Sequence, residues 1–257
     1  MGGDHGPAVV VGGVKAYYSL YGGDGVRFLL HGDEAAIRAE MARLHVSDDL
    51  CQVRHTDKVV AMDEKPAQAM RRGKGSSLWN AIEAVKTGEA QAAVSAGNTG
   101  ALMAISKLVL RMAVDGLERP AIVASWPTKR GFTAVLDVGA NIGSDARQLV
   151  EFAIMGEAFQ SAVHGVARPT VGLLNVGSEE MKGHEEVREA HAVLRTDAVP
   201  VNYTGFVEGH DIAAGTVDVV VTDGFTGNIA LKTAEGTARF ISGLLKEALT
   251  SGPLAKL

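Results

Sequence analysis

Lysine, histidine and asparagine recur in this sequence inside short glycine-bearing loops, a combination suited to holding an anion and steadying charge as it moves. The loops are Ser95-Ala96-Gly97-Asn98-Thr99-Gly100, Asp137-Val138-Gly139-Ala140-Asn141, Asn175-Val176-Gly177-Ser178-Glu179 and Asp223-Gly224-Phe225-Thr226-Gly227-Asn228. The third continues through Glu180-Met181-Lys182-Gly183-His184. Lys182 can stabilise developing negative charge, and the same spacing also suits a solvated turn in which Lys182 pairs with Glu179. His184, like His5 and His210 in other glycine-flanked loops, can act as acid or base near neutral pH, although a loop histidine is more often structural or solvated. Asn98, Asn141 and Asn228 offer amides that cap a helix or hold a substrate oxygen, and capping is the commoner role for each taken alone.

Other chemistries lose support. The glycines never fall as G-x-G-x-x-G, and P-loop, G-x-S-x-G and H-E-x-x-H motifs are absent. Cys51 is the only cysteine, so it forms no disulfide within the chain and no zinc cluster. It begins an expected strand with no motif around it, which favours direct attack on a substrate over a covalent acyl-enzyme. Asp4, Asp137 and Asp223 could orient loops or meet a cation, but they complete no ligand set; neither a metal nor a cofactor is expected.

The formal net charge is −5, which excludes the overall basic field that dominates nucleic-acid binding. An anionic partner would need a local basic patch. The densest is Arg71, Arg72 and Lys74, just before Ser76-Ser77, an expected helix start. Solvated surface is the ordinary role of such a run, and docking of an acidic protein or a phosphate is the sharper one. Met1 is not followed by a basic segment and an apolar run, and no apolar stretch approaches the roughly 20 residues of a spanning helix. With the cysteine content, this reads as a cytoplasmic protein.

The elements that must carry these loops alternate. Short apolar or β-branched runs are expected to be strands at 26–30, 52–55, 92–95, 121–125, 133–137, 171–175, 201–206 and 217–222, with helical periods between them. Leu102, Ile105, Val109 and Met112 share one helical face, and Ile229, Ala230, Ala234, Ile241, Leu244 and Leu245 mark a long last helix; both faces are expected to pack in the core. Such alternation predicts an α/β fold with a largely parallel sheet and flanking helices. The glycine loops then share the carboxyl edge, where helix N-termini favour anions, so a phosphate site is expected there. Residues 1–7 read as one more such loop, leading into a helix over 8–20 with no strand before it. No repeat or linker divides the chain, and a single domain over 1–257 is expected.

At these loops the sequence resembles the bacterial phosphate acyltransferase (PlsX) family. The matching segments are MGGDHGP at 1–7, DEKPAQAMRRGKGSS at 63–77, VSAGNTGALMA at 94–104, RPAI at 119–122, LDVGAN at 136–141, FAIMG at 152–156, VGLLNVGSEEMKG at 171–183, VEGHDI at 207–212 and DVVVTDGFTGNIALK at 218–232. The resemblance implies a Rossmann-like fold related to phosphotransacetylase and isopropylmalate dehydrogenase, a homodimer, and an enzyme that touches the membrane peripherally. It implies transfer of a long-chain acyl group from acyl carrier protein to inorganic phosphate, giving acyl phosphate for phosphatidic acid synthesis. Family members have a strand before the MGGDHGP segment and a further region after the position of Leu257, so the chain is expected to lack both. Residue and family readings together give an expected site: Lys182, Asn228 and His184 for catalysis, Ser95, Gly97, Asn98, Thr99, Gly100, Asn141 and Gly227 for phosphate, and Arg71, Arg72 and Lys74 for the carrier protein. Two other expectations stay open, a short-chain phosphotransacetylase using coenzyme A thioesters and a non-catalytic protein that binds the carrier or a membrane.

Overall fold

The computed structural model describes residues 1–23, 25–196 and 198–251. The chain divides into two compact units, Met1–Gly116 and Leu117–Leu257.

In the first unit, α1 (Gly6–Tyr21), β1 (Phe28–Gly32), α2 (Glu34–Leu44) and β2 (Cys51–His55) are followed by α3 (Pro66–Arg72), α4 (Ser77–Lys86) and α5 (Thr99–Leu110). Strands β1 and β2 run parallel, Phe28 opposite Cys51 and Gly32 opposite His55. Val11, Val14, Leu30, Ile37, Met41 and Cys51 bury against one another where α1 and α2 meet the strands, while Trp79, Ile82, Ala101, Ile105 and Val109 form a second cluster among the later helices. Side-chain caps start three of the helices: Asp33, Ser76 and Asn98 accept from the N–H groups of Ala36, Trp79 and Ala101. Ser76 thus starts α4 where the sequence placed a helix start.

Two expectations fail here. Residues 92–95 form no strand, because the run gains no ladder partner: β1 pairs with β2 alone, and Val94 is 92% exposed. An apolar run holds strand geometry only when its backbone groups are paired. Met112 lies beyond the helix it was expected to join, since Arg111 turns the chain at φ 64°.

In the second unit, β3 (Val123–Thr128) and β4 (Gly131–Leu136) form a hairpin, followed by α6 (Ala146–His164), β5 (Thr170–Leu174), α7 (Glu185–Leu194), β6 (Asn202–Val207), α8 (Gly209–Ala214), β7 (Val219–Val221) and α9 (Gly224–Thr250). The sheet order is β3-β4-β7-β5-β6. Only the β3–β4 pair is antiparallel. Val219, Val220 and Val221 of central β7 are wholly buried, as a strand covered on both faces requires. Helix α6 covers one face through Leu149, Phe152 and Ala153. Truncating a fully buried residue such as Phe152 would cost about 3–5 kcal/mol. The other face packs Val135 and Val220 against Val207, Ile212 and Val217.

The last helix is as long as its periodicity predicts, but its apolar face does not enter the core. Ile229, Ile241, Leu244 and Leu245 are 50–57% exposed. Spacing defines which residues share a face, and burial depends on a partner that spacing does not specify.

Candidate active site

Strands β4, β7 and β5 are neighbours and parallel, so the loops after them leave the same edge of the sheet, side by side. The loop after β4 is organised by Asp137, which is fully buried. Its carboxylate accepts from the N–H groups of Ile122 (3.0 Å), Gly139 (3.1 Å), Ala140 (2.9 Å) and Asn141 (2.6 Å), and from Asn141 Nδ2 (2.9 Å). Asn141 Nδ2 also donates to Pro120 O at 2.9 Å. The expected phosphate ligand therefore spends its amide N–H groups on shaping the loop.

After β7 the chain turns directly into α9, capped by Asp223, which accepts from Thr226 N (2.9 Å) and Thr226 Oγ1 (2.7 Å). The first turn of α9 presses onto the Asp137 loop. A Cβ at Gly224 would sit 2.4 Å from Asn141 O, and one at Gly227 would sit 2.0 Å from Asp137 O. Only glycine permits that approach. It brings Asn228 against Gly139, where a Cβ would lie 3.5 Å from Asn228 Oδ1. Asn228 is exposed, and no hydrogen bond to another described residue engages its amide.

The loop after β5 carries Lys182 and His184. Lys182 Nζ meets Glu179 Oε1 at 2.8 Å, with both side chains about half exposed. The hydrogen bond to Glu179 raises the lysine above its ordinary pKa and lowers the carboxyl below its own. The solvated-turn pairing weighed for Lys182 is therefore present. The loop is tied at several points: Lys182 N donates to Glu179 O (3.0 Å), Asn175 Nδ2 donates to Lys182 O (3.0 Å), and Arg195 Nη1 meets Glu180 at 2.5 Å. His184 is exposed and precedes α7 without a side-chain capping bond, leaving its imidazole open to a ligand.

The remaining expected ligands belong to the first unit. Ser95 Oγ accepts from Gly97 N at 3.1 Å. Asn98 is buried, caps α5, and donates from Nδ2 to Ala61 O, Met62 O and Glu64 O at 2.8–3.1 Å. Its amide anchors the 61–64 turn and has no N–H left for a ligand. Thr99 is exposed at the start of α5, and Gly100 lies against Pro66. The opening glycine loop packs beside this one, since a Cβ at Gly3 would be 2.6 Å from Ala96 O. Arg71, Arg72 and Lys74 are exposed at the end of α3, and no carboxylate among the described residues pairs with them.

Cys51 is buried, and burial raises its thiol pKa, which suppresses the thiolate needed of a nucleophile. His210 lies 3.8 Å from Asp211 and is solvated. Among the described residues no three His, Cys, Asp or Glu side chains gather as a metal site. Sequence reasoning did not foresee Asn175, which holds the Lys182 carbonyl, or His191, whose Nδ1 lies 2.6 Å from the Tyr203 hydroxyl while its ring stacks on Phe206. Neither stands in a pattern that separates it from a surface residue.

A mainly parallel sheet with flanking helices, its loops side by side on the carboxyl edge, places the chain among α/β proteins. The EutD phosphotransacetylase of Staphylococcus aureus has the same fold, with a TM-score of 0.57 over 90% of this chain and 87% of that one, at 15% identity. The family model of fatty acid synthesis proteins matches residues 1–257. Phosphate acyltransferases of Caulobacter vibrioides and Phenylobacterium zucineum are 70% and 64% identical over all of this chain, which covers 71% and 73% of their lengths. The chain belongs to this phosphate acyltransferase family of fatty acid synthesis proteins.

Proposed function

We propose that the protein transfers a long-chain acyl group from the thioester of acyl carrier protein to inorganic phosphate, giving an acyl phosphate for phosphatidic acid synthesis. One observation carries the reading beyond family membership: adjacent loops on one sheet edge present a cation at Lys182, an uncommitted amide at Asn228 and an open imidazole at His184. Burial raises the Cys51 thiol pKa, which disfavours it as a competing nucleophile.

A phosphate oxygen attacks the thioester carbonyl carbon, forming the new C–O bond and a tetrahedral oxyanion. Collapse breaks the C–S bond, and the thiolate leaves with a proton from His184 or solvent. Lys182 steadies the phosphate or the oxyanion, Asn228 donates to the carbonyl oxygen, and placement of the two reactants supplies much of the rate. Within the first unit, the Ser95–Gly100 loop is proposed separately to offer backbone N–H groups to phosphate, with Asn98 shaping it as Asn141 shapes the Asp137 loop of the second unit. Arg71, Arg72 and Lys74, unpaired and exposed, receive the acidic carrier protein. A cytoplasmic homodimer with peripheral membrane contact belongs to the proposal too. The exposed apolar residues of α9, among them Phe240, Ile241 and Leu244, support a covered surface there, and no described helix is long and apolar enough to cross a membrane.

The test is phosphate-dependent loss of palmitoyl-carrier thioester, with the product trapped by hydroxylamine, run beside acetyl-coenzyme A. Faster turnover of the palmitoyl carrier supports the reading, and preference for acetyl-coenzyme A replaces it with a short-chain phosphotransacetylase. Thioester binding without acyl phosphate would leave a non-catalytic binder. Lys182→Ala should lower turnover about 10²-fold with the melting temperature unchanged, whereas intact turnover per folded molecule would remove Lys182 from the mechanism.

A further inference from the structure

Lys182 is about half exposed but not unpartnered. Its chain folds back across the loop that carries it, and Gly177 is the floor on which it lies. A Cβ at Gly177 would fall 2.6 Å from Lys182 Cδ, 2.9 Å from Lys182 Nζ and 2.6 Å from Glu179 Oε2. The ion pair therefore closes directly over a backbone with no side chain, and any larger residue at 177 would displace both partners. The neighbouring acidic residue does not compete for the lysine, since Glu180 is engaged by Arg195 at 2.5 Å. Asn175 fixes the other side of the turn through Lys182 O, and Gly183, at φ 90°, leaves room for the Asn175 amide.

We propose that Glu179 is a displaceable counter-ion that holds Lys182 over Gly177 until an anionic substrate takes its place. The inference rests on the reading of Lys182 as a phosphate-binding group. In this proposal the carboxylate 2.8 Å from the ammonium stands in the position that a phosphate oxygen takes. The two anions cannot share that position without like-charge repulsion. Binding of phosphate then requires Nζ to leave Glu179 Oε1, and the cost of that exchange is subtracted from phosphate affinity. Because both side chains are about half exposed, the pair is weak, and the cost is a small factor rather than a block. Glu179 is in this sense a specificity-determining residue: a weakly charged or neutral ligand would not displace it, and a dianion would.

The experiment compares the unmodified chain, Glu179→Gln, Lys182→Ala and the double variant, each titrated with orthophosphate by calorimetry and assayed for phosphate KM and kcat. Removing the charge of Glu179 should tighten phosphate by roughly 2- to 5-fold, the range open to an exposed ion pair, and the gain should shrink as salt is added. Lys182→Ala should weaken phosphate by about tenfold or more, and the double variant should behave as Lys182→Ala alone. If Lys182→Ala leaves phosphate affinity unchanged, the reading of Lys182 as a phosphate group fails and the inference falls with it. If Lys182→Ala weakens phosphate but Glu179→Gln does not tighten it, that reading stands and the counter-ion inference is overturned. Weaker phosphate binding in Glu179→Gln would also overturn it, showing that the carboxylate holds Lys182 in the bound state instead.

Discussion

Asp137 should carry more of the second unit's stability than any other single polar group at the sheet edge. Its two oxygens take five hydrogen bonds, four from backbone N–H groups and one from Asn141, at 2.6–3.1 Å and zero exposure. A net hydrogen bond to a charged group is worth about 1.5–3 kcal/mol, and a buried donor left without a partner costs about 1–3 kcal/mol. Asp137→Ala strands all five donors, and even with partial access of water the loss should be on the order of 4–6 kcal/mol. Asp137→Asn is the finer test. Its remaining oxygen can keep the three donors now on Oδ1, but its NH2 must face Asn141 N and Nδ2, donor against donor, for a loss of roughly 2–4 kcal/mol. Asn141→Ala removes the bonds to Pro120 O and Asp137 Oδ2 and should cost about 1–3 kcal/mol. Because the two residues share a bond, the double variant should lose less than the sum. Urea unfolding reads each value as a midpoint shift at constant slope. Asp137→Asn within about 0.5 kcal/mol of the unmodified chain, the usual spread of surface changes, would refute this account of the loop.

Three further outcomes follow from packing, titration and charge. Gly156→Ala should destabilise by up to about 2 kcal/mol: the new methyl would lie 2.4 Å from Val219 Cγ1 and 2.8 Å from Leu136 Cδ2, and overpacking of about 1–3 kcal/mol is set against alanine's helix advantage of roughly 1 kcal/mol. A higher melting temperature would contradict it. Burial first, and Arg54 and Arg195 second, lower the pKa values of His31 and His191 from 6.5. The unfolded chain therefore binds protons that the folded one resists, and stability present above about pH 6.5 is lost as pH falls below it. Replacing both histidines with glutamine should flatten that acid slope, and an unchanged slope between pH 7 and 5 would reject the assignment. Reversing Arg71, Arg72 and Lys74 to glutamate should weaken carrier binding several-fold and reduce its salt sensitivity while leaving phosphate affinity in place. Equal carrier affinity at low salt would return the cluster to solvated surface.

The fold was legible where local and tertiary signals agree. The run around β7 is β-branched and that around β5 is apolar, both are bounded by polar loops, and they are strands of a parallel ladder with a buried centre. Residues 92–95, Ala-Ala-Val-Ser, carry a single β-branched residue and form no strand, since the run has weak strand propensity of its own and gains no ladder partner among the described residues. The last helix shows the same limit in another form. Its spacing predicted a helix and one appears over Gly224–Thr250, yet Leu244 and Leu245 stay more than half exposed. Periodicity describes the face an element offers, and the rest of the chain decides whether that face is met.

The asparagines show why the site was only partly legible. In the sequence Asn98, Asn141 and Asn228 stand in segments of one type, each a short step after a glycine and each able to cap or to bind. Asn98 is spent on three carbonyls 34–37 residues earlier in the chain. Asn141 is spent on Asp137 and on Pro120, 21 residues away. No local pattern announces such distant acceptors, so residue type alone could not rank the three. Asn228 is left free by a feature that is local, though its meaning is tertiary. Gly224 and Gly227 let the first turn of α9 lie on the Asp137 loop, and that contact fixes the backbone at Gly227, one residue before the amide. A side chain larger than glycine at 227 would push the turn away from Asp137 O, now 2.0 Å from where its Cβ would stand. The helix would lift, and Asn228 would lose its place beside Gly139 even though its own chemistry was untouched. The glycines, more than the asparagine, are therefore what make position 228 a candidate for touching substrate.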